Sequence, residues 1–145
     1  MNELQTSVRE HVWKLQEALA TLPQTEPDMR HHFADGMYCR QMYIPKGMMA
    51  VGKVHKREHF FLVVKGTLRC TTDDGYEDFS APTLVVVRPG SKRAVFAFDD
   101  VICMTFHRTF ETDLDAIERE VIEPDETALM DSGNKLKKHA LEQKT

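Results

Sequence analysis

From Gly36 onward, the sequence is a succession of short β-branched and aromatic runs, separated by turn residues about every ten positions. Runs of this length and spacing are typical of an all-β sandwich or barrel. The runs are 37–44, 50–55, 59–64, 66–72, 83–87, 94–98 and 101–107. Asp74-Gly75 is the strongest hairpin signal between them, because glycine accepts a positive φ. We therefore predict roughly seven or eight antiparallel strands.

Helical periodicity flanks this β region. Apolar residues recur at three and four positions between Leu4 and Leu22, which predicts an amphipathic N-terminal helix that ends at Pro23. Thr112 resembles a helix N-cap before a second apolar helical face, which predicts a short C-terminal helix. Few apolar anchors follow it, so we expect a loosely docked tail. The 145 residues match one domain. Its predicted parts are the helix and connector 1–35, the barrel 36–110, and the C-terminal helix with its flexible tail 111–145.

Composition argues against several functional classes. The chain carries 19 Lys and Arg against 23 Asp and Glu, a net charge of −4, so we expect no binding to nucleic acid. Its longest apolar runs are far shorter than the roughly 18 residues that a membrane helix requires. The three cysteines, Cys39, Cys70 and Cys103, form no close pair, which favours a reducing compartment. We therefore expect a cytoplasmic protein with no membrane partner.

Several predicted strands are apolar at consecutive positions, namely 60–64, 84–87 and 94–98. Both faces of such strands must leave water, whereas a barrel interior covers only one of them. The N-terminal helix can cover part of the outer face. A second copy of the chain can cover the rest, because a twofold interface is self-complementary. We therefore predict a homodimer.

The segment from His55 to His59 contains the string His-x-x-Glu-His. In inverted zinc proteases this string lies on a helix, which brings both histidines to one face. The strand-forming run 60–64 that follows argues against a helix here. On strands joined by a tight turn at 56–58, His55, His59 and Lys53 share parity and face the same interior. The two imidazoles are therefore expected to meet at the mouth of the barrel.

The spacing of residues around this segment resembles the first motif of the cupin superfamily. That motif is a glycine, five residues, His-x-His, three or four residues, Glu, six residues and a second glycine. Gly47 opens the motif here and Gly66 closes it. Lys53 takes the position of the first histidine, His55 is the second, and His59 stands where the glutamate belongs. One of these three ligand positions is thus unchanged.

The second cupin motif places Pro-x-Gly before a final histidine. Here Pro89-Gly90 lacks the spacer, and Arg93 is the third residue after the glycine. The resemblance covers about residues 36–107 and extends to small cupin-like proteins of bacteriophages and prophages, which would place the protein in a host cytoplasm. It implies an all-β, double-stranded β-helix fold, also called a jelly roll, with a degenerate metal site.

The changed ligand positions admit two kinds of site. A cation about 6 Å from a divalent ion costs roughly 5 kcal/mol at an effective dielectric of about 20, so Lys53 and Arg93 pointing inward would oppose a metal. If they turn away, His55, His59 and His107 could hold Zn, Fe, Mn or Ni with an open coordination position. If they point inward, the two cations could hold a carboxylate or phosphate.

Three hypotheses for function follow from these sites. The first is a protein that binds a small anionic or polar metabolite beside a divalent metal. If it is an enzyme, it would be a lyase, isomerase or oxygenase, with Glu58 or an unliganded histidine as general base. The second is a non-catalytic, metal-free protein that binds or sequesters an anion through Lys53 and Arg93. The third is an oligomeric scaffold in which these residues only pack. Metal analysis separates the first two.

Overall fold

The computed structural model describes residues 3–21 and 26–137. It contains two antiparallel β-sheets. One helix precedes the strands in the chain and a second helix follows them. The helices are α1 (Glu3–Ala20) and α2 (Leu114–Val121). The strands are β1 (Asp28–Ala34), β2 (Met37–Ile44), β3 (Met49–Val51), β4 (His59–Lys65), β5 (Thr67–Thr72), β6 (Gly75–Ser80), β7 (Thr83–Val87), β8 (Ala94–Ala97) and β9 (Val101–Arg108). One sheet has the order β1-β2-β9-β4-β7 and the other β3-β8-β5-β6. The predicted all-β class with two flanking helices is confirmed.

Two strands, β1 and β6, lie outside the predicted apolar runs. Each occupies an edge of its sheet, and most of its side chains are exposed. An edge strand needs only one neighbour and can remain polar, so the alternation that predicts a strand is weak there. The turn between β5 and β6 does fall at Asp73 and Asp74, and Gly75 has a φ of 132°. The hairpin signal of the sequence is therefore confirmed.

The main core lies between the two sheets. Its most buried members, each no more than 1% exposed, are Ile44, Val63, Leu68, Cys70, Ala97 and Val101. The turn from β4 to β5 presses against this core at Gly66, which has a φ of 82°. A Cβ atom at this position would lie 2.4 Å from the carbonyl oxygen of Asp100, so the turn requires glycine. This glycine is one of those that carried the sequence resemblance.

The C-terminal segment 123–137 is packed, unlike the loosely docked tail that its composition predicted. Leu129 and Leu136 are buried and lie against Leu19 and Ala20 of α1. The few apolar residues of the segment are thus enough to dock it, because α1 supplies a complementary apolar surface. Residues 138–145 of the predicted tail, and the predicted helix end at Pro23, lie outside the described residues.

Helix α2 begins one residue later than predicted. Its N-cap is Asp113, whose carboxylate accepts a hydrogen bond of 3.0 Å from the Ala116 N–H, so the predicted cap at Thr112 is wrong by one position. The helix buries Ile117 and Val121 against Tyr38 of β2. This packing places α2 beside the end of the barrel at which the predicted site residues lie.

The outer face of the five-stranded sheet is apolar and exposed. Phe60, Val64, Leu84 and Val86 are each more than 40% exposed, and Phe60 and Val86 are direct partners across β4 and β7. This observation matches the apolar outer face expected from the sequence. Among the residues that the structure describes, no helix has the length and apolar character needed to cross a bilayer.

Candidate metal centre

Three histidines meet at one end of the five-stranded sheet. Phe60 of β4 pairs with Phe106 of β9, so His59 and His107, one position further along, project together from the opposite face of the sheet. His55 precedes β4 and is held by a β-bridge to Ile122. The ring centroids are 4.2 Å apart for His55 and His59, 4.7 Å for His59 and His107, and 5.0 Å for His55 and His107. The structure therefore brings together all three histidines that the sequence singled out.

Burial keeps the three imidazoles neutral. Desolvation lowers the pKa of His59 to about 4 and that of His107 to about 3. Desolvation, followed by repulsion from the other two histidines, holds the pKa of His55 well below its ordinary value. A neutral imidazole has a lone pair for a metal ion, so no proton must be displaced near neutral pH.

Hydrogen bonds orient two of the rings. His59 Nδ1 lies 3.4 Å from the Arg57 carbonyl oxygen, and His107 Nε2 lies 2.8 Å from the Thr105 hydroxyl oxygen. Metal-binding histidines commonly use one ring nitrogen for such a bond and the other for the ion. With these two nitrogens engaged, His59 Nε2 and His107 Nδ1 would be the ring atoms left for an ion.

The histidine cluster fits a divalent metal ion. Each of the three histidines has a ring nitrogen within 4.8 Å of those of the other two. Two nitrogens that bind one zinc ion are roughly 3–3.5 Å apart, so small side-chain movements would bring the three ring nitrogens to the separation that one ion requires. Three imidazoles, the full set of candidate ligands among residues 3–21 and 26–137, suit zinc, iron, manganese or nickel and leave a coordination position for a ligand.

The ammonium group of Lys53 is held by other groups of the protein. Its Nζ forms an ion pair with the Glu118 carboxylate of α2 and donates a hydrogen bond of 3.2 Å to the Asp131 carbonyl oxygen. Burial lowers the pKa of Lys53, and the bond to Glu118 opposes that shift. The charge that the sequence analysis placed against a metal is therefore compensated within the protein.

The charge of Arg93 acts on one of the histidines, His59. Its Nη1 donates to the Thr71 carbonyl oxygen at 3.1 Å and contacts Cys70 Sγ at 3.6 Å. Its positive charge adds to the lowering of the His59 pKa, after the larger effect of burial. Arg93 thus stays close enough to act on an anion bound beside His59.

A cavity of about 370 Å³ adjoins the histidines. His55 and His59 lie in its wall, together with Lys53 and Arg93. Most of its remaining wall is apolar and includes Met42, Met48, Met49, Phe61, Leu129 and Met130. The volume and the mainly apolar wall with a few polar groups are those of a small-molecule site.

Glu58 lies on the other side of the cluster. Its side chain is exposed and borders an outer cleft together with His55, Arg57 and His107. It is not among the residues that line the inner cavity within the described part of the chain. Its predicted role as general base is therefore open only to a ligand that reaches the histidines from the outer cleft.

Arg40 is the site residue that the sequence analysis missed. It lies on β2, pairs with Thr105 of β9, borders the inner cavity, and donates a hydrogen bond to the Asn134 side-chain oxygen. Arg40 shares strand parity with Tyr38, Met42 and Ile44, which face the interior. A charged residue in an otherwise inward-facing series was therefore the available signal.

The double sheet has the cupin fold, as comparison with solved structures shows. The plu4264 protein from Photorhabdus luminescens is similar over 68% of this chain and 88% of that one, with a TM-score of 0.53 at 13% identity. The cupin domain of Cnp3 from Schizosaccharomyces pombe is similar over 67% and 71%, with a TM-score of 0.51 at 15% identity. The cupin domain of an XRE-family transcriptional regulator from Enterobacter cloacae is similar over 70% and 100%, with a TM-score of 0.50 at 11% identity.

These likenesses show the fold alone. No protein-family model matches the sequence, and no curated protein is significantly similar to it. The cupin resemblance inferred from the sequence is thus confirmed as a common fold, and function must be argued from the site itself.

Proposed function

We propose that the protein binds a divalent metal ion through His55, His59 and His107, and a small anionic metabolite in the adjoining cavity. The observation that carries this proposal is the convergence of three neutral imidazoles, each with a ring nitrogen within 4.8 Å of the others. Since His55 and His59 also line the cavity, a ligand there would lie beside the ion. When bound, the ion would act as a Lewis acid on an oxygen of that ligand.

Metal analysis of the purified protein tests this proposal. The apo protein is incubated in turn with Zn²⁺, Fe²⁺, Mn²⁺ and Ni²⁺, freed of excess ion, and analysed by elemental mass spectrometry. We expect about one ion per chain for at least one of these metals. Replacing His59 or His107 by alanine removes one of three ligands, so we expect occupancy to fall below about a tenth of the wild-type value.

His32→Ala is the matched control. His32 is exposed on β1 and its Nε2 lies 3.0 Å from the Gln41 side-chain oxygen, so its loss should leave metal occupancy unchanged. Wild-type protein that retains none of the four metals would refute the metal site. It would favour the metal-free anion-binding function that the sequence also allowed.

An enzymatic activity remains a prediction. Of the classes expected from the sequence, a lyase or an isomerase that moves a proton requires a base beside the ligand, whereas an oxygenase does not. The inner cavity lacks a carboxylate among the described residues that line it. Glu58 could serve only in the outer cleft, which His55 and His107 also border.

We also propose that the protein is a homodimer joined through the outer face of the five-stranded sheet. Leu84 and Val86 of β7 lie beside Phe60 of β4, and all three are about half exposed. An exposed apolar patch of this kind marks an interaction surface, and a twofold contact would cover it on both copies.

Light scattering coupled to size-exclusion chromatography tests the dimer. Wild-type protein should have about twice the 16.7 kDa chain mass. Leu84→Glu should shift the protein to monomer, because a charge at the centre of an apolar interface loses its hydration. Tyr76→Glu, at an exposed position on the other sheet, is the control and should remain dimeric. A monomeric wild-type protein at about 100 μM would exclude the dimer.

A further inference from the structure

Two buried guanidinium nitrogens at the cavity have no acceptor. Arg40 Nε and Arg93 Nε are both buried and have no hydrogen-bond partner among the described residues. Both side chains border the same inner cavity. A buried donor without an acceptor costs about 1–3 kcal/mol, and more when it is charged, so native structures rarely keep one without a reason.

The charges around the cavity leave a positive excess. The cationic side chains in its wall are Arg40, Lys53 and Arg93, and no described lining residue is acidic. Two carboxylates act on Arg40 from behind the wall. Glu118 pairs with Lys53, and Asp131 accepts hydrogen bonds from backbone N–H groups of its own turn at 2.9 Å. Three cations thus face two carboxylates, so one positive charge remains for a ligand to balance.

The rest of the cavity would repel a fully hydrated anion. The remainder of its wall includes Met42, Met48, Met49 and Met130, whose flexible side chains adapt to an apolar occupant. A cavity of about 370 Å³ has the volume of roughly a dozen water molecules. A ligand that satisfies both parts of the wall has one anionic end and an apolar body.

We infer that the cavity binds an amphiphilic monocarboxylate of about ten non-hydrogen atoms, with its carboxylate between Arg40 and Arg93 and its apolar body against the methionines. In this position the carboxylate would supply the acceptor that the two Nε atoms lack. Lys53, which the sequence analysis named as an anion ligand, stays with Glu118. The inference rests on the proposed function for the use of this cavity, and it narrows the metabolite to one chemical class.

Calorimetric titration with three probes of equal chain length tests the inference on wild-type protein. Octanoate, 1-octanol and octylamine differ only in the head group. We expect octanoate to bind at least tenfold more tightly than 1-octanol, because the carboxylate offers two charged acceptor oxygens and the alcohol one neutral oxygen. Octylamine should bind more weakly than either, because its ammonium group has no acceptor and carries the same charge as the arginines. Equal affinity for octanoate and 1-octanol would overturn the inference.

Variants at the two arginines locate the head group. Arg40→Gln and Arg93→Gln should each weaken octanoate binding about 10-fold to 100-fold and leave 1-octanol binding unchanged, so the alcohol also reports that the cavity is folded. Arg30→Gln, an exposed position on β1, is the matched control and should bind octanoate as wild type does. Octanoate binding that survives both cavity variants would contradict the assignment.

The same titrations on metal-free and zinc-loaded protein, together with the metal analysis, distinguish failure of the carboxylate site from failure of the metal site. A wild-type protein that retains none of the four metals but prefers octanoate would refute the metal site and support the carboxylate site. Metal binding by wild-type protein without any octanoate preference would do the reverse.

Discussion

Replacing Lys92 by methionine is expected to destabilise the protein by about 3 kcal/mol, because it leaves a buried carboxylate without its cation. The Lys92 side chain is fully buried. Its Nζ donates to Gln16 Oε1 at 2.7 Å and to Asp125 Oδ2 at 3.1 Å, and it lies 4.3 Å from the centre of the Trp13 ring. Burial lowers the pKa of Lys92, whereas Asp125 raises it.

The expected loss lies at the lower end of values for broken buried ion pairs because Asp125 keeps other donors. The Thr127 N–H and hydroxyl donate to its Oδ1, and Gln16 donates to its Oδ2. Urea unfolding at pH 7 measures the effect. Lys65→Met, at an exposed position on β4, supplies the matched control and should change stability by less than about 0.5 kcal/mol. A loss below about 1 kcal/mol for Lys92→Met would show that the ion pair contributes little.

The Lys92 ion pair also bears on the cavity. Lys92 follows β7, and Gln16 lies on α1. Asp125 belongs to segment 123–137, whose residues 128–130 lie in the cavity wall. One buried ammonium group therefore connects the sheet, the helix and this segment. We expect the Lys92 variant to weaken octanoate binding as well, because part of the cavity wall loses its attachment.

The sequence could predict the His55 and His59 arrangement because it depends on local parity. Residues two and four apart on a strand face the same side, and the apolar run after His59 made a strand the better interpretation. Strand parity also predicted His107, since it ends a strand whose inward residues include Cys103 and Thr105. Periodicity predicts which face of a strand a side chain lies on. Because one face of each sheet lies toward the interior here, this is nearly enough to predict which side chains lie together inside the fold.

The sequence could not predict which cations face a ligand, because that depends on distant partners. Lys53 and Arg93 were equal candidates by parity and motif position. Only the folded chain places Glu118 of α2, 65 residues away, against Lys53. It also leaves the Arg93 Nε without an acceptor in the described part of the chain. Arg40 was missed for the same reason. Its burial follows from the docking of segment 123–137, which contributes Asn134 and has no strong periodicity of its own.

Lowering the pH from 7 to 5 is expected to destabilise the metal-free protein by about 2–4 kcal/mol. Burial lowers the pKa of His59 to about 4 and that of His107 to about 3, whereas an unfolded histidine titrates near pH 6.5. Below about pH 6.5 the unfolded chain therefore binds protons that the folded chain does not. Stability is greatest above this pH and falls as the pH drops, until the folded histidines themselves titrate near pH 4 and 3.

Urea unfolding at pH 7.0 and 5.0, in the presence of a chelator, measures this loss of stability. Between these two pH values the buried carboxylate of Asp125 does not contribute to the change. Although burial alone would raise the pKa of Asp125, its bond from Thr127 and the charge of Lys92 lower it to about 2, so it remains ionised in both states at pH 5. His107→Gln removes one of the shifted groups and should reduce the pH dependence by about 2 kcal/mol, whereas His32→Gln on the exposed face of β1 should leave it intact. Equal stability at the two pH values would mean that the imidazoles are hydrated in the metal-free protein. In that case a metal ion would have to displace water and protons from them, and the cluster would not be preorganised for binding.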